Sequence, residues 1–280
     1  MRILVTNDDG IHSPGLDTCE EIAHALSKDV WVVAPEHDQS GVAHSLSLND
    51  PLRLRQIDEH KFAVRGTPTD CVIMGARHVL EGKQIDLVLS GVNRGRNVGE
   101  DVIYSGTVAG AMEGALLGIP SIALSQSYKS RSEQPPFWET GVHFAPEIIR
   151  RVLADGVRAG VLINVNFPDC RPEEVKGVVV TPLGRRRQER LHIDKRLDGR
   201  GNPYYWIAYS RLGPFRPEHG TDIAVLDDRC IALTPLRIDI TDEPSMTNPA
   251  WLIRFRSTTR CVCARSTSPI SRCAERRRIA

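Results

Sequence analysis

The chain begins with a strand that ends in two adjacent acids and a glycine, and this start narrows the folds open to it. Ile3-Leu4-Val5-Thr6 is a short apolar run that breaks into Asn7-Asp8-Asp9-Gly10. Runs of this length, rich in branched residues and closed by Asp and Gly, read as buried strands. Ser13-Pro14 predicts a helix cap with proline in first position. Leu16, Cys19, Ile22, Ala23 and Leu26 then recur at helical spacing. A second strand, Val30–Ala34, ends at Pro35. Strand, helix and strand in so short a stretch require a right-handed parallel crossover.

The alternation continues. Leu46 to Phe62 reads as irregular strand and hairpin. Gly66-Thr67-Pro68-Thr69-Asp70 opens a helix running to about Leu80, with Thr67 and Asp70 forming a reciprocal cap. Strands at Asp86–Ser90, Pro120–Ser125 and Val161–Phe167 alternate with helices from Ser105 and over Trp138–Ala154, and 126–137 reads as a loop. The expected fold is α/β, with a doubly wound, mostly parallel sheet. From residue 169 the texture changes. Val178–Thr181, the aromatic run Pro203–Ala208 and Ile231–Leu236 look like long hairpins, with a basic turn or arm at Gly184–Arg190. The expected organisation is a core over 1–168 that carries the site, a β-hairpin region over 169–249, and a basic, disordered tail over 250–280. A hairpin that cannot bury its own face calls for a partner chain, so an oligomer is expected.

Bulk composition excludes several classes. The 280 residues are 41% hydrophobic, enough for one large α/β domain or two small ones. Formal net charge is +1, so no nucleic-acid partner is expected; residues 251–280 hold eight Arg against one Glu, which leaves the rest net acidic. Seven scattered Cys form no zinc pairing, and Cys261-x-Cys263 is too short for one. Such a set suits a reducing compartment. With no leader and no membrane-length apolar run, the expectation is a cytoplasmic protein.

Four loops leave the carboxyl ends of these strands, where open α/β sheets bind ligands. The first holds Asp8 and Asp9. Two neighbouring carboxylates repel unless a cation or proton separates them. The second, Glu36–Gly41, offers the Ser40 hydroxyl. The third, Ser90-Gly91-Val92-Asn93-Arg94-Gly95-Arg96-Asn97, interleaves glycines with Asn93 and Asn97. It matches neither the phosphate loop nor the dinucleotide fingerprint. The fourth, Tyr104-Ser105-Gly106-Thr107, opens a helix whose N-terminus attracts phosphate, with Ser105 and Thr107 adding hydroxyls. Each loop alone has a plainer reading as a polar turn or a cap. Together, Asp8, Asp9, Ser40 and Asn93 form a hard-oxygen set suited to one Mg²⁺ or Mn²⁺ per subunit. Asn97, Ser105 and Thr107 become the phosphate contacts. The chemistry expected is metal-assisted hydrolysis of a phosphomonoester, with Asp8 and Asp9 as the catalytic candidates and the proton-transfer residue unassigned. His37 and His44 flank the second loop and are read as surface residues.

At this point the motifs resemble a known family. Asn7-Asp8-Asp9-Gly10, Ser40-Gly41, Gly66–Cys71, Ser90-Gly91-Val92-Asn93 with Gly95 and Asn97, and Tyr104–Val108 through Met112-Glu113-Gly114 closely resemble the SurE family of survival-protein nucleotidases. The match continues through Gly220-Thr221-Asp222 and Thr234-Pro235-Leu236, in order, over roughly residues 1–245. The resemblance implies a doubly wound, Rossmann-like core and C-terminal hairpins exchanged in a homodimer or homotetramer. It also implies a divalent-metal-dependent 5′/3′-nucleotidase acting on nucleoside monophosphates; some members cleave terminal phosphate from short polyphosphate. By motif position it carries the metal ligands to Asp8, Asp9, Ser40 and Asn93, and the phosphate contacts to Asn97, Ser105 and Thr107. The tail after Pro249 does not look like the family's ending.

Two other classes compete. One is a non-catalytic, Mg-dependent nucleotide- or phosphate-binding module, such as a receiver-like domain, although no later loop offers the Lys that receiver chemistry wants. The other is a dinucleotide-dependent oxidoreductase, which the missing glycine fingerprint argues against.

Overall fold

The computed structural model describes residues 1–128, 135–186, 191–209 and 216–247. The strands are β1 (Arg2–Thr6), β2 (Asp29–Pro35), β3 (Arg53–Asp58), β4 (Lys61–Arg65), β5 (Leu87–Arg94), β6 (Ser121–Gln126), β7 (Val161–Phe167), β8 (Val178–Val180), β9 (Leu191–Leu197), β10 (Pro203–Tyr209) and β11 (Ile231–Arg237). The helices are α1 (Pro14–His24), α2 (Pro68–Met74), α3 (Asp101–Tyr104), α4 (Gly106–Leu116), α5 (Trp138–Asp155) and α6 (Asp222–Asp227).

Nine strands form one sheet in the order β3-β4-β2-β1-β5-β6-β7-β11-β8. The run from β4 through β2, β1, β5 and β6 to β7 is parallel throughout. In that run, chain order reverses at β1 and β5. The chain leaves β1 toward β2 on one side and later returns to β5 on the other. A doubly wound sheet opens its ligand crevice at such a switch point, beyond the carboxyl ends of the strands.

Alternation along β1 assigns the two faces. Ile3 and Val5 pack with Leu16, Cys19 and Ile22 of α1 and with Ile148 and Ile149 of α5. Leu4, between them, points to the opposite face with Cys71 and Val72 of α2. α4 covers that second face beside α2, and it lies close because it lacks side chains there. A Cβ at Gly110 would stand 2.7 Å from Ser90 Oγ, and one at Gly114 2.4 Å from Ser121 Oγ.

The expected caps form. Ser13 accepts from the Leu16 N–H with Pro14 in the first turn, and Thr67 and Asp70 exchange hydrogen bonds. Each cap is worth about 1 kcal/mol. The helix expected through Leu80 instead changes to a π-helical turn over Gly75–Val79, where Gly75 is pressed against Leu4.

Beyond residue 168 the outcome differs from a set of hairpins. β11 pairs antiparallel with β7, and β8 runs parallel to β11, so both extend the main sheet. β9 and β10 are the antiparallel hairpin, a two-stranded sheet of their own. The chain forms one compact unit over Met1–Asp239 and a second over Ile240–Ala280. The basic tail over 250–280 lies outside the described residues, as do residues 187–190 of the arm and 129–134 of the loop after β6. Among the described residues, no helix is long and apolar enough to cross a membrane.

Candidate functional site

β1 delivers Asp8 and Asp9 to the switch point. Asp8 is 3% exposed. The Thr107 hydroxyl, in the first turn of α4, donates to Asp8 Oδ1. Gly106 makes this approach practicable, because a Cβ there would lie 2.7 Å from Asp8 Cβ and 3.0 Å from Asp8 Oδ2. The acid therefore sits at the N-terminal end of a helix, where the dipole favours negative charge. Burial nevertheless pushes the Asp8 carboxyl up to about 7; the Thr107 hydroxyl holds it down in part, and the Asp9 charge adds to the rise. Among the described residues, no ion pair offsets the Asp8 charge. Asp9 is also raised, mainly by burial, with the Arg94 backbone N–H opposing and the Asp38 charge adding.

The other loops are tied to these two acids. The Gln39 N–H donates to the Asp8 carbonyl at 2.8 Å, which holds the loop after β2. The Arg94 N–H donates to Asp9 Oδ2 at 3.0 Å, which ties the carboxyl end of β5 to the acid pair. Ser40 and Asn93 are thus each one residue from a group bonded to the acid pair. Their own side chains are placed differently. Ser40 is exposed, with its N–H on Asp38 Oδ1 at 2.7 Å. Asn93 Nδ2 donates to the Gly95 carbonyl at 2.9 Å. A direct side-chain hydrogen bond joins Asp8 to Thr107, whereas Ser40 and Asn93 follow or precede by one residue the backbone N–H groups that bond Asp8 and Asp9.

Ser105 caps α4 by accepting from the Val108 N–H at 3.0 Å, which leaves its own proton to donate. Asn97 Nδ2 donates to Ser125 Oγ at 3.0 Å, beyond the end of the bulge between β5 and β6. Asn164 Nδ2 and Asn166 Nδ2 both donate to the Asn97 carbonyl, at 2.9 and 3.0 Å, while Asn166 Oδ1 accepts the Asn97 N–H at 2.8 Å. Asp222 anchors the next turn: it accepts from the Gly99, Gly184 and Ile223 N–H groups at 2.7–2.8 Å. His44 joins Glu113 of α4 at 2.9 Å and His37 is exposed, so neither reaches the acids by a hydrogen bond.

The anchors Asn164, Asn166 and Asp222 were not singled out as site residues from the sequence. Two Asn at alternate positions of an otherwise apolar strand were the available signal, because both then face one side and need partners there. Asp222 was visible as part of a motif, without a role.

The donor set fits a hard divalent cation better than any soft metal. Among the described residues, no three His, Cys, Asp or Glu side chains converge on a point, so thiolate or imidazole coordination finds no cage. What is present is a pair of adjacent carboxylates, one of them buried without a counter-charge. A phosphate brought to the α4 N-terminus would be repelled by both acids unless a cation intervened.

Comparisons with known proteins agree with this architecture. The family model described as survival protein SurE matches residues 3–190. The 5′-nucleotidase SurE of Methylobacterium sp. (strain 4-46) is 62% identical over 247 residues, covering 88% of this chain and 97% of the relative. That of Rhodopseudomonas palustris (strain BisA53) is 64% identical over 244 residues, covering 87% and 96%. The crystal structure of the SurE protein from Aquifex aeolicus superposes with a TM-score of 0.76 at 42% identity, covering 88% of this chain and 97% of that one.

Proposed function

The chain belongs to the survival protein SurE family, and on that premise we propose that it is a nucleotidase, a phosphoric monoester hydrolase that splits nucleoside monophosphates into nucleoside and phosphate. The single observation that carries the reading is the buried, uncompensated Asp8 beside Asp9 at the N-terminus of α4. Asp8, Asp9, Ser40 and Asn93 would hold one divalent ion, Mg²⁺ or Mn²⁺. When bound, such an ion polarises the phosphoryl oxygen and acidifies water. The chain itself does the positioning. Ser105 donates its unused proton to a phosphate oxygen, the α4 N-terminus stabilises the charge that gathers there, and the Asn97 amide closes the far side. Thr107 orients Asp8 through the hydrogen bond already present and has no second proton to give, so its contact to phosphate requires that bond to be exchanged.

The reading extends to both 5′- and 3′-monophosphates, and to the terminal phosphate of short polyphosphate. It also extends to a homodimer or homotetramer. Support for assembly comes from the β9–β10 hairpin, which leaves Ile193, Tyr205, Trp206 and Ile207 more than half exposed; a two-stranded sheet of this kind is not stable by itself. Initial rates on 5′-AMP, 3′-AMP, 5′-GMP and tripolyphosphate with Mn²⁺ test the substrate range. Release from both nucleotide isomers is expected. Hydrolysis of tripolyphosphate alone would remove the nucleotidase reading.

A further inference from the structure

A cleft of about 540 Å³ opens on the same sheet edge, lined by Arg96, Ser127, Tyr128, Asp169, Leu226 and Asp227 among others. These residues follow β5, β6 and β7 or lie on α6. The cleft adjoins the acid pair through a single residue. Arg94 gives its N–H to Asp9 and lays its guanidinium 5.4 Å over the Tyr128 ring. The volume lies in the range of small-molecule sites. We propose that this cleft is the nucleoside subsite and that Asp169 reads the base, favouring guanine; the inference rests on the nucleotidase reading above.

The charges of the cleft decide what it can take. Arg96 is engaged by Asp227 at 3.4 Å, and Arg229, also on the wall, by Glu174 at 2.8 Å. Among the described residues, Asp169 has neither an ion pair nor a hydrogen bond to offset its charge. A second phosphate is therefore disfavoured, and a ligand edge rich in N–H donors is favoured. The guanine edge presents two adjacent donors, which a carboxylate accepts in parallel. Adenine offers one amino group, and uracil one N–H between two acceptors. Tyr128 and Leu226 supply surface for a flat ring. Among the described residues, the buried Ser127 hydroxyl at the wall has no partner, and it gives a further polar contact once a ligand fills the space.

The test uses the full-length chain in two assays. Titration calorimetry with guanosine and with adenosine, which carry no phosphate, reads the subsite apart from catalysis. Guanosine is expected to bind several-fold more tightly than adenosine, with Asp169→Asn lowering guanosine affinity about tenfold, the scale of one bidentate base contact. Tyr128→Leu, with its folding checked by calorimetric melting, is expected to weaken both nucleosides. In turnover, the ratio of kcat/KM for GMP to that for p-nitrophenyl phosphate is expected to fall about tenfold in Asp169→Asn. Equal guanosine binding by wild type and Asp169→Asn, or no preference over adenosine, overturns the assignment. Guanosine binding without phosphate release from any substrate would leave the subsite standing and remove the nucleotidase reading.

Discussion

The Thr107 hydroxyl donates to the Asp8 carboxylate across the junction of β1 and α4. Among the described residues the buried acid has no ion pair, and this bond opposes the effect of burial. Thr107→Val removes the donor at nearly constant shape. Asp8 is then expected to rise above its present value of about 7, and the acidic limb of the kcat/KM profile to move to higher pH. A profile that does not move would show that Asp8 does not set that limb.

The raised Asp8 makes the metal-free protein less stable as pH rises. Between the ordinary 3.8 and about 7, the folded chain keeps a proton that the unfolded chain has released. Stability therefore falls through that window, and above it the full penalty stands. Asp9 shifts in the same direction. A divalent ion competes with those protons, so the rise in melting temperature on adding Mn²⁺ should be larger at about pH 8 than at about pH 5. Calorimetry in buffer with chelator, then with Mn²⁺, measures both slopes.

Asp8→Asn separates charge from shape. Phosphate release is expected to fall by at least about a hundredfold, the scale seen when one electrostatic element of an active site is removed. The melting temperature in chelator should hold or rise, because a desolvated charge has gone. Full activity in this variant would refute the role given to Asp8.

Gly106→Ala tests the close approach of α4 to β1. Alanine is the better helix former, yet its Cβ would stand 2.7 Å from Asp8 Cβ. A loss of about 1–3 kcal/mol in urea unfolding is expected, as for other overpacked sites, together with weaker phosphate release. A neutral or stabilised variant would mean that the helix end can retreat without cost.

Asp222→Ala should loosen the loop that carries Asn97. Three backbone N–H groups lose their acceptor, and each such buried orphan costs about 1–3 kcal/mol. KM for a nucleotide is expected to rise, and Asp222→Asn to restore part of the loss. Urea unfolding and steady-state kinetics on both variants check this.

The parallel core was legible because its signals are local. Apolar runs ending in Gly, Asp or Pro marked β1, β2 and β5, a run opening after Pro120 marked β6, and caps at Ser13 and Thr67 marked helix starts. That four loops share one sheet edge followed from the crossover rule alone. The place of β11 was not legible, since a short strand carries no record of its partner, and here the partner is β7. At the site, Asp8, Asp9 and Ser105 became candidates only in combination with the other loops, since each alone reads as a turn or a cap. The Thr107–Asp8 bond and the anchoring by Asn164, Asn166 and Asp222 depend on contacts between residues far apart in the chain, which no local pattern encodes.

On the reading proposed above, a divalent ion held at Asp8 and Asp9 is required to release phosphate from a nucleotide. Phosphate release from 5′-GMP by chelator-stripped protein, before and after Mn²⁺ is restored, tests it most directly. No release is expected in chelator, with recovery when the ion returns in excess. Undiminished release from protein shown by elemental analysis to be free of metal would contradict it.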